Sequence, residues 1–232
     1  MQRKKIVVLT GAGVSAESGI KTFRDAGGLW EGHDVMEVAT PEGWHKNKEL
    51  VLEFYNQRRK QALDAKPNSG HIGIAELEKH FEVVVITQNV DNLHEKAGSS
   101  SVIHLHGELF KSRSTLDESL IYDIKGWELK LGDKCSRGSQ LRPHIVWFGE
   151  MVPMMEVAMQ ETMTANIFLV VGTSLAVYPA ASLIDYVDEE VPKFIIDPNM
   201  PSVYPRPNLH LIEKPGSIGV NQVSKILIKD YL

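Results

Sequence analysis

The chain has 232 residues, 43% of them hydrophobic and 24% charged, which is enough to bury a full core. A formal net charge of −5 gives no electrostatic ground for nucleic-acid binding, and no apolar stretch approaches a membrane span. The single cysteine, Cys135, excludes an intramolecular disulfide framework and suits the reducing cytoplasm, where we expect the protein.

Apolar, β-branched runs recur at 6–10, 83–87, 102–105, 145–148, 167–171 and 194–196. Most are short and continuous, as in strands covered on both faces. Helix-like segments at 49–63, 70–80, 155–164, 180–188 and 217–229 lie between several of them. The alternation predicts an α/β chain with a Rossmann-like, doubly wound parallel sheet, whose ligands lie beyond the carboxyl ends of the strands. Two stretches interrupt the pattern: 33–70, which holds a helix, and 111–142, which is polar and without a clear period. We read 1–232 as one catalytic domain, with these two insertions forming a small module.

The chemistry-bearing residues fall at the predicted strand ends. Gly11, Gly13 and Ala16 have the G-x-G-x-x-(G/A) spacing that brings backbone amides against a pyrophosphate, and Thr22-Phe-Arg-Asp25 follows in the next loop. Tyr55 and Arg58, three apart on a helix, share a face, and a guanidinium beside a phenol suits a carboxylate. Gln88, Asn89 and Asp91 end the second strand, where they either meet a ligand or cap the helix that follows. His106 stands before Gly107, which leaves its imidazole room to face a ligand; His104, two residues back, reads as a histidine satisfied by its surroundings. Gly172-Thr-Ser174 offers hydroxyls and amides for phosphate or ribose, and Asp197 is placed to accept from ribose hydroxyls.

Taken together, 11–25, 88–91 and 106–107 resemble the sirtuin (Sir2) family of NAD-dependent protein-lysine deacylases over nearly the whole chain. The resemblance implies NAD as co-substrate and acylated lysine side chains of proteins as substrate, with no nucleic-acid or membrane partner. It assigns Gly11, Ala12, Gly13, Ser15, Ala16, Phe23, Arg24, Trp30, Gln88, Asn89, Asp91, Gly172, Thr173, Ser174, Asp197, Asn199 and Gly216 to cofactor binding, with Asp91 on the nicotinamide carboxamide. His106 aligns with the general base, and Asn89 joins it as catalytic. Val146, Phe148, Gly149 and Glu150 belong to a segment that pairs with substrate by strand addition. The Tyr55–Arg58 pair is shared with bacterial members that remove succinyl-type groups as well as acetyl. The products implied are nicotinamide, O-acyl-ADP-ribose and free lysine.

Two departures stand out. Asp197 replaces an asparagine usual in the family, keeping an acceptor. Most members also hold a structural zinc on four cysteines within the second insertion, where this chain has Cys135 alone and no histidine. We therefore expect no zinc, and an apolar cluster of Tyr122, Trp127, Leu129 and Leu131 in its place. An ADP-ribosyltransferase or NAD hydrolase on the same scaffold, and a non-catalytic NAD or ADP-ribose sensor, stay open at this point. The intact His106, Asn89 and Asp91 weigh against the sensor, since a binder needs no base.

Overall fold

The computed structural model describes residues 3–21, 29–30 (backbone only) and 32–232. Six parallel strands make the main sheet: β1 (Lys5–Thr10), β4 (Glu82–Thr87), β5 (Val102–His104), β9 (Ile167–Val171), β10 (Lys193–Ile196) and β11 (Leu209–Ile212). Their spatial order is β5-β4-β1-β9-β10-β11. The chain winds outward from β1 in one direction and then from β9 in the other, so the topology reverses between β1 and β9, the doubly wound arrangement expected.

Successive side chains of β1 enter different cores. Ile6 and Val8 join Ile74, Leu77, Val220, Val223 and Leu227 on one face, which carries α5 (Ser69–Glu76) and α8 (Gly216–Tyr231). Val7 and Leu9 join Ala158, Leu183 and Ile184 on the other, under α7 (Met155–Met163) and the 3-10 helix 180–186. Both faces are apolar, which is why the strands read as continuous rather than alternating runs. The expected α-helix at 180–188 is thus a 3-10 turn series, and the edge strand β11, with two exposed residues, carried no apolar run to reveal it.

A third core gathers the two insertions. From the first come α2 (Val35–Val38), α3 (Pro41–Lys46) and α4 (Lys48–Asp64). The helices start where side chains accept orphan amides: Thr40 from Gly43, Asn47 from Leu50. A two-residue ladder of β2 (Leu29–Trp30) and β3 (His33–Asp34) precedes them. From the second come β6 (Gly107–Ser114), β7 (Ile121–Asp123) and β8 (Leu141–Ile145), an antiparallel sheet in the order β7-β6-β8. The apolar run 145–148 is therefore not the strand; the strand ends at Ile145, and Trp147 beyond it is buried. Val38, Trp44, Val51, Phe54, Leu109 and Trp147 fill this core between them.

The 111–142 stretch is held differently from the cluster expected. Leu129 is buried in the third core and Tyr122 packs against that core, but Leu131 is 52% exposed. Trp127 contributes its carbonyl, which accepts from Arg59, and its ring, which lies under Lys60. Cys135 Sγ lies 3.2 Å from Ser139 Oγ, and Ser139 bonds Ser114, so one thiol and two hydroxyls occupy the position where a zinc would need four good donors. Among the described residues no group of three or more His, Cys, Asp or Glu could hold a metal ion, and the residues present do not fit one. No described helix is long and apolar enough to cross a membrane.

Two expectations follow. Dialysis against a strong chelator leaves the melting temperature unchanged, and purified protein carries no stoichiometric zinc by elemental analysis; a chelator-induced drop would contradict the packing account. Gly219 lies in α8 directly over Ile196, so a Cβ there would collide with that buried side chain. Gly219→Ala, worth about 1 kcal/mol of stabilisation in an open helix, instead lowers the urea midpoint of unfolding.

Candidate active site

The site is assembled by two turns that touch. Gly11 follows β1 and Gly172 follows β9. Gly11 N donates to Val171 O (3.1 Å), and Gly13 N donates to Gly172 O (2.8 Å). A Cβ on Gly11 would stand 2.6 Å from Thr173 Cβ, and one on Gly13 would stand 2.8 Å from Gly172 Cα. Gly172 itself has φ +63°, a left-handed conformation that side chains disfavour. The glycine spacing read as a phosphate cradle thus serves first to bring two backbone turns together at the switch point. Ala12 and Ala16 lie exposed on the short helix α1 (Ala12–Ala16) between them.

Around this contact stands a ring of polar groups. Gln88 Nε2 donates to Thr173 Oγ1 (3.0 Å), bridging the ends of β4 and β9. Asn89 is buried, its Nδ2 donating to Gly11 O and Ser15 Oγ, both at 3.1 Å. Asp91 is buried too and accepts from Leu93 N (3.1 Å); burial pushes its carboxyl up, while bonds from Leu93 and Ser15 pull it down. Asp197 directly follows β10, is 6% exposed and accepts from Asn199 N (2.8 Å), with Asn199 itself exposed. Gly216 begins α8 packed against Val14 and Val171, and Ser174 is half-buried. Phe23 and Arg24 lie outside the described residues, as does the side chain of Trp30.

Beneath the ring lies a network of neutral groups that the motifs did not reveal. His71 Nδ1 accepts from Asn68 N (3.3 Å), leaving Nε2–H to face Ser15 Oγ at 3.4 Å. Ser15 Oγ therefore receives from both His71 and Asn89, and its own proton goes to Asp91. His94 Nε2 lies 3.0 Å from Thr10 Oγ1, Thr10 donates to Thr87 Oγ1 (2.8 Å), and Thr87 accepts from Asn89 N (3.0 Å). Burial drives His94 down to about 3 and His71 to about 4, so both stay neutral in ordinary buffers. The sequence did carry a signal: Thr10 and Thr87 end adjacent strands in matching register, and Asn68-x-x-His71 forms a capping box.

His104 and His106 sit side by side over this turn with opposite electrostatics. His104 bonds Asn89 O (3.0 Å) through Nδ1 and Glu95 (2.7 Å) through Nε2. Burial lowers its pKa, but Glu95 and the carbonyl outweigh that, and the net shift is upward. His106 has one partner of this kind, Gln88 O at 3.0 Å from Nδ1. Burial lowers its pKa and the carbonyl only partly compensates. Because a carbonyl can only accept, Nδ1 carries the proton and Nε2 presents a lone pair, the arrangement a general base needs. Gly107 makes this turn with φ +84°, and a Cβ there would strike His144 O.

The opposite wall is the segment after β8. Val146 N donates to His106 O (2.9 Å) and Phe148 N to Ala39 O (2.9 Å), while Phe148 and Gly149 are exposed. Glu150 points inward: its carboxylate takes Arg142 (2.6 and 3.1 Å), Arg113 (3.1 Å) and Trp147 N (2.8 Å). Arg142 also lies 3.4 Å over the Trp147 ring. Trp147 Nε1 donates to Tyr55 OH (3.1 Å), so Tyr55 on α4 meets the same wall. Tyr55 is fully buried and burial pushes its phenol up to about 12, against the nearby Arg58 charge, while Arg58 is 8% exposed.

Imidazole titration followed by nitrogen NMR should separate the two histidines: His106 titrates below the ordinary value of about 6.5 and His104 above it. His106 should show the Nδ1–H tautomer at neutral pH. The reverse order of midpoints would remove the electrostatic case for His106 as a base.

Comparison with known proteins agrees with this geometry. The Sir2 family model matches residues 11–179. An NAD-dependent protein deacylase from Bacteroides thetaiotaomicron is 54% identical over 230 residues, covering 97% of this chain and 98% of that one. A Sir2 homologue solved as its NAD complex superposes with a TM-score of 0.87 at 39% identity, covering 98% and 90% of the two chains. A mutant Sir2 homologue with 2'-O-acetyl ADP ribose superposes at 0.86 with 38% identity, covering 98% and 93%. Strand order, the polar ring over the switch point and this extent of likeness agree: the chain belongs to the Sir2 family.

Proposed function

We propose that the protein is an NAD-dependent protein-lysine deacylase that removes acetyl and succinyl-type groups. The observation that carries the reaction is His106: an imidazole kept low in pKa by burial, whose Nδ1 proton is fixed by Gln88 O so that Nε2 carries the lone pair. The residues present fit NAD. The carboxamides of Gln88 and Asn89, the hydroxyls of Thr173 and Ser174 and the carboxylates of Asp91 and Asp197 all stand at strand ends around one switch point, a donor and acceptor set suited to a dinucleotide.

NAD supplies a ribose carbon that accepts the acyl oxygen as nicotinamide departs. The residues of this chain then have distinct tasks. Asp91, held by Ser15 and Leu93, takes the carboxamide of nicotinamide. Asn89, locked through Nδ2 and through its backbone amide, orders the ribose beside it. His106 Nε2 removes a proton from a ribose hydroxyl. Asp197, which accepts from Asn199 N, receives the other ribose together with Gly216. Val146–Glu150 forms the edge on which the substrate backbone is laid, with Glu150 anchoring that edge from inside.

The reading that succinyl-type groups are removed rests on Tyr55 and Arg58. Trp147 donates to the phenol oxygen, which turns the phenol's own proton elsewhere, and the high pKa keeps that proton in place. A neutral donor beside a guanidinium in a buried site binds a carboxylate far better than a methyl group.

A mass-spectrometric assay with NAD and paired acetyl-lysine and succinyl-lysine peptides tests this. The parent removes both groups. Arg58→Met and Tyr55→Phe lower kcat/KM on the succinyl peptide by roughly a hundredfold, the scale of a lost charge-assisted contact, and change acetyl removal by less than about fivefold. Equal losses on both peptides would reject the carboxylate receptor. Nicotinamide release without any deacylation would favour an NAD hydrolase or transferase instead.

A further inference from the structure

Helix α4 carries, on the side next to Tyr55 and Arg58, a second pair with a different geometry. Arg59 is completely buried. Its Nε donates to Trp127 O (2.7 Å), its Nη1 to Leu109 O (3.2 Å) and its Nη2 to Asn56 Oδ1. Asn56 closes the arrangement on the same loop: Oδ1 accepts from Leu129 N (2.9 Å) and Nδ2 donates to Leu129 O (3.1 Å). The carboxamide can therefore face only one way. A buried cation is gripping oxygens from a loop, a strand and its own helix, which is the task a structural metal performs elsewhere.

The grip continues into the active site. Leu109, whose carbonyl Arg59 holds, donates its N–H to Val90 O (2.7 Å), between Asn89 and Asp91. On the far side, Lys96 Nζ reaches Ala62 O and Ala65 O, both at 3.2 Å, where α4 ends without a glycine cap. Helix α4 is thus tied to the Asn89–Asp91 turn through β6 and again through Lys96. A buried cation held by neutral oxygens is a poor way to gain net stability over an apolar side chain of similar size, so its presence calls for a geometric reason.

We propose that Arg59, seated by Asn56, is a positioning residue. It fixes the 111–142 insertion and the Tyr55–Arg58 face of α4 in register with the Asn89–Asp91 turn. The proposal rests on the deacylase reading above.

The test uses the full chain with Arg59→Lys, Arg59→Ala and Asn56→Ala. Deacylation kinetics, ADP-ribose affinity by calorimetry and amide hydrogen exchange are measured well below each melting temperature. In Arg59→Lys and Asn56→Ala we expect faster exchange at Leu109 and Leu129 and a fall in kcat of about tenfold or more on both peptides, the scale of a small misplacement at the reacting centre. ADP-ribose affinity should fall by no more than about threefold, because most of its site rests on β1, β9 and β10 and only the ribose beside Asn89 is reached from the positioned turn. Millimolar guanidinium should restore part of the activity of Arg59→Ala; if that variant does not fold, Arg59→Lys carries the test. Faster exchange with parental kcat overturns the proposal. So does loss of ADP-ribose affinity in step with kcat, which marks a general structural role. If the parent itself deacylates nothing, the deacylase reading fails at that step, whereas failure of this proposal alone leaves parental turnover intact.

Discussion

Everything in the site depends on the close approach of two backbone turns at the ends of β1 and β9. Three positions, Gly11, Gly13 and Gly172, have no room for a side chain, and two of their amides bond across the gap. That contact fixes where α1 begins and therefore where Ser15 stands. It also sets the height of Thr173 against Gln88, and so the position of the turn that carries Asn89 and Asp91. A parallel sheet that reverses direction between these two strands must open a crevice there, and the glycines decide how tightly its floor is drawn together.

The floor is held by two directional chains of hydrogen bonds, with His94 Nδ1 the buried atom in them that has no partner among the described residues. The chain of hydroxyls and imidazoles from His94 through Thr10 and Thr87 ends on the amide of Asn89, and the one from His71 through Ser15 ends on Asp91. Each group donates or accepts in a definite direction, so neither Asn89 nor Asp91 can turn without leaving a buried group unpaired, at a cost of about 1–3 kcal/mol. The opposite wall uses charge: Arg142 and Arg113 converge on Glu150 and present the Val146–Gly149 edge. Between floor and wall, His106 is kept neutral by burial and aimed by Gln88.

Much of this was legible in the residues. The continuous runs Ile6–Leu9 and Ile167–Val171 gave a sheet covered on both faces, and polar residues directly after apolar runs marked the carboxyl ends where a ligand would lie. The features that escaped notice share a cause: they depend on contacts between distant segments. β6 and β7 have mixed composition because β6 buries the polar Ser112, Arg113 and Ser114 beside Leu109, while β7 exposes Ile121 and Asp123. β11 is an edge strand whose apolar content is divided between core and solvent. The Arg59 clasp joins residues 50 and 68 positions apart, and nothing in the helix sequence distinguishes Arg59 from the neighbouring Arg58. Of the expected cluster Leu129 and Tyr122 do join the third core, whereas Leu131 is exposed and the loop is pinned through the backbone of Trp127 and Leu129, which composition does not report.

The most direct measurement is a single-turnover reaction of the protein with NAD and an acylated peptide. Nicotinamide, deacylated peptide and acylated ADP-ribose are quantified together, in the parent and in His106→Ala. The account predicts the three products in equal amounts from the parent. His106→Ala should still bind ADP-ribose but form acylated ADP-ribose slower by at least about a hundredfold, the usual contribution of a positioned base. Equal rates in the two proteins, or nicotinamide released without an acylated ADP-ribose, would contradict it.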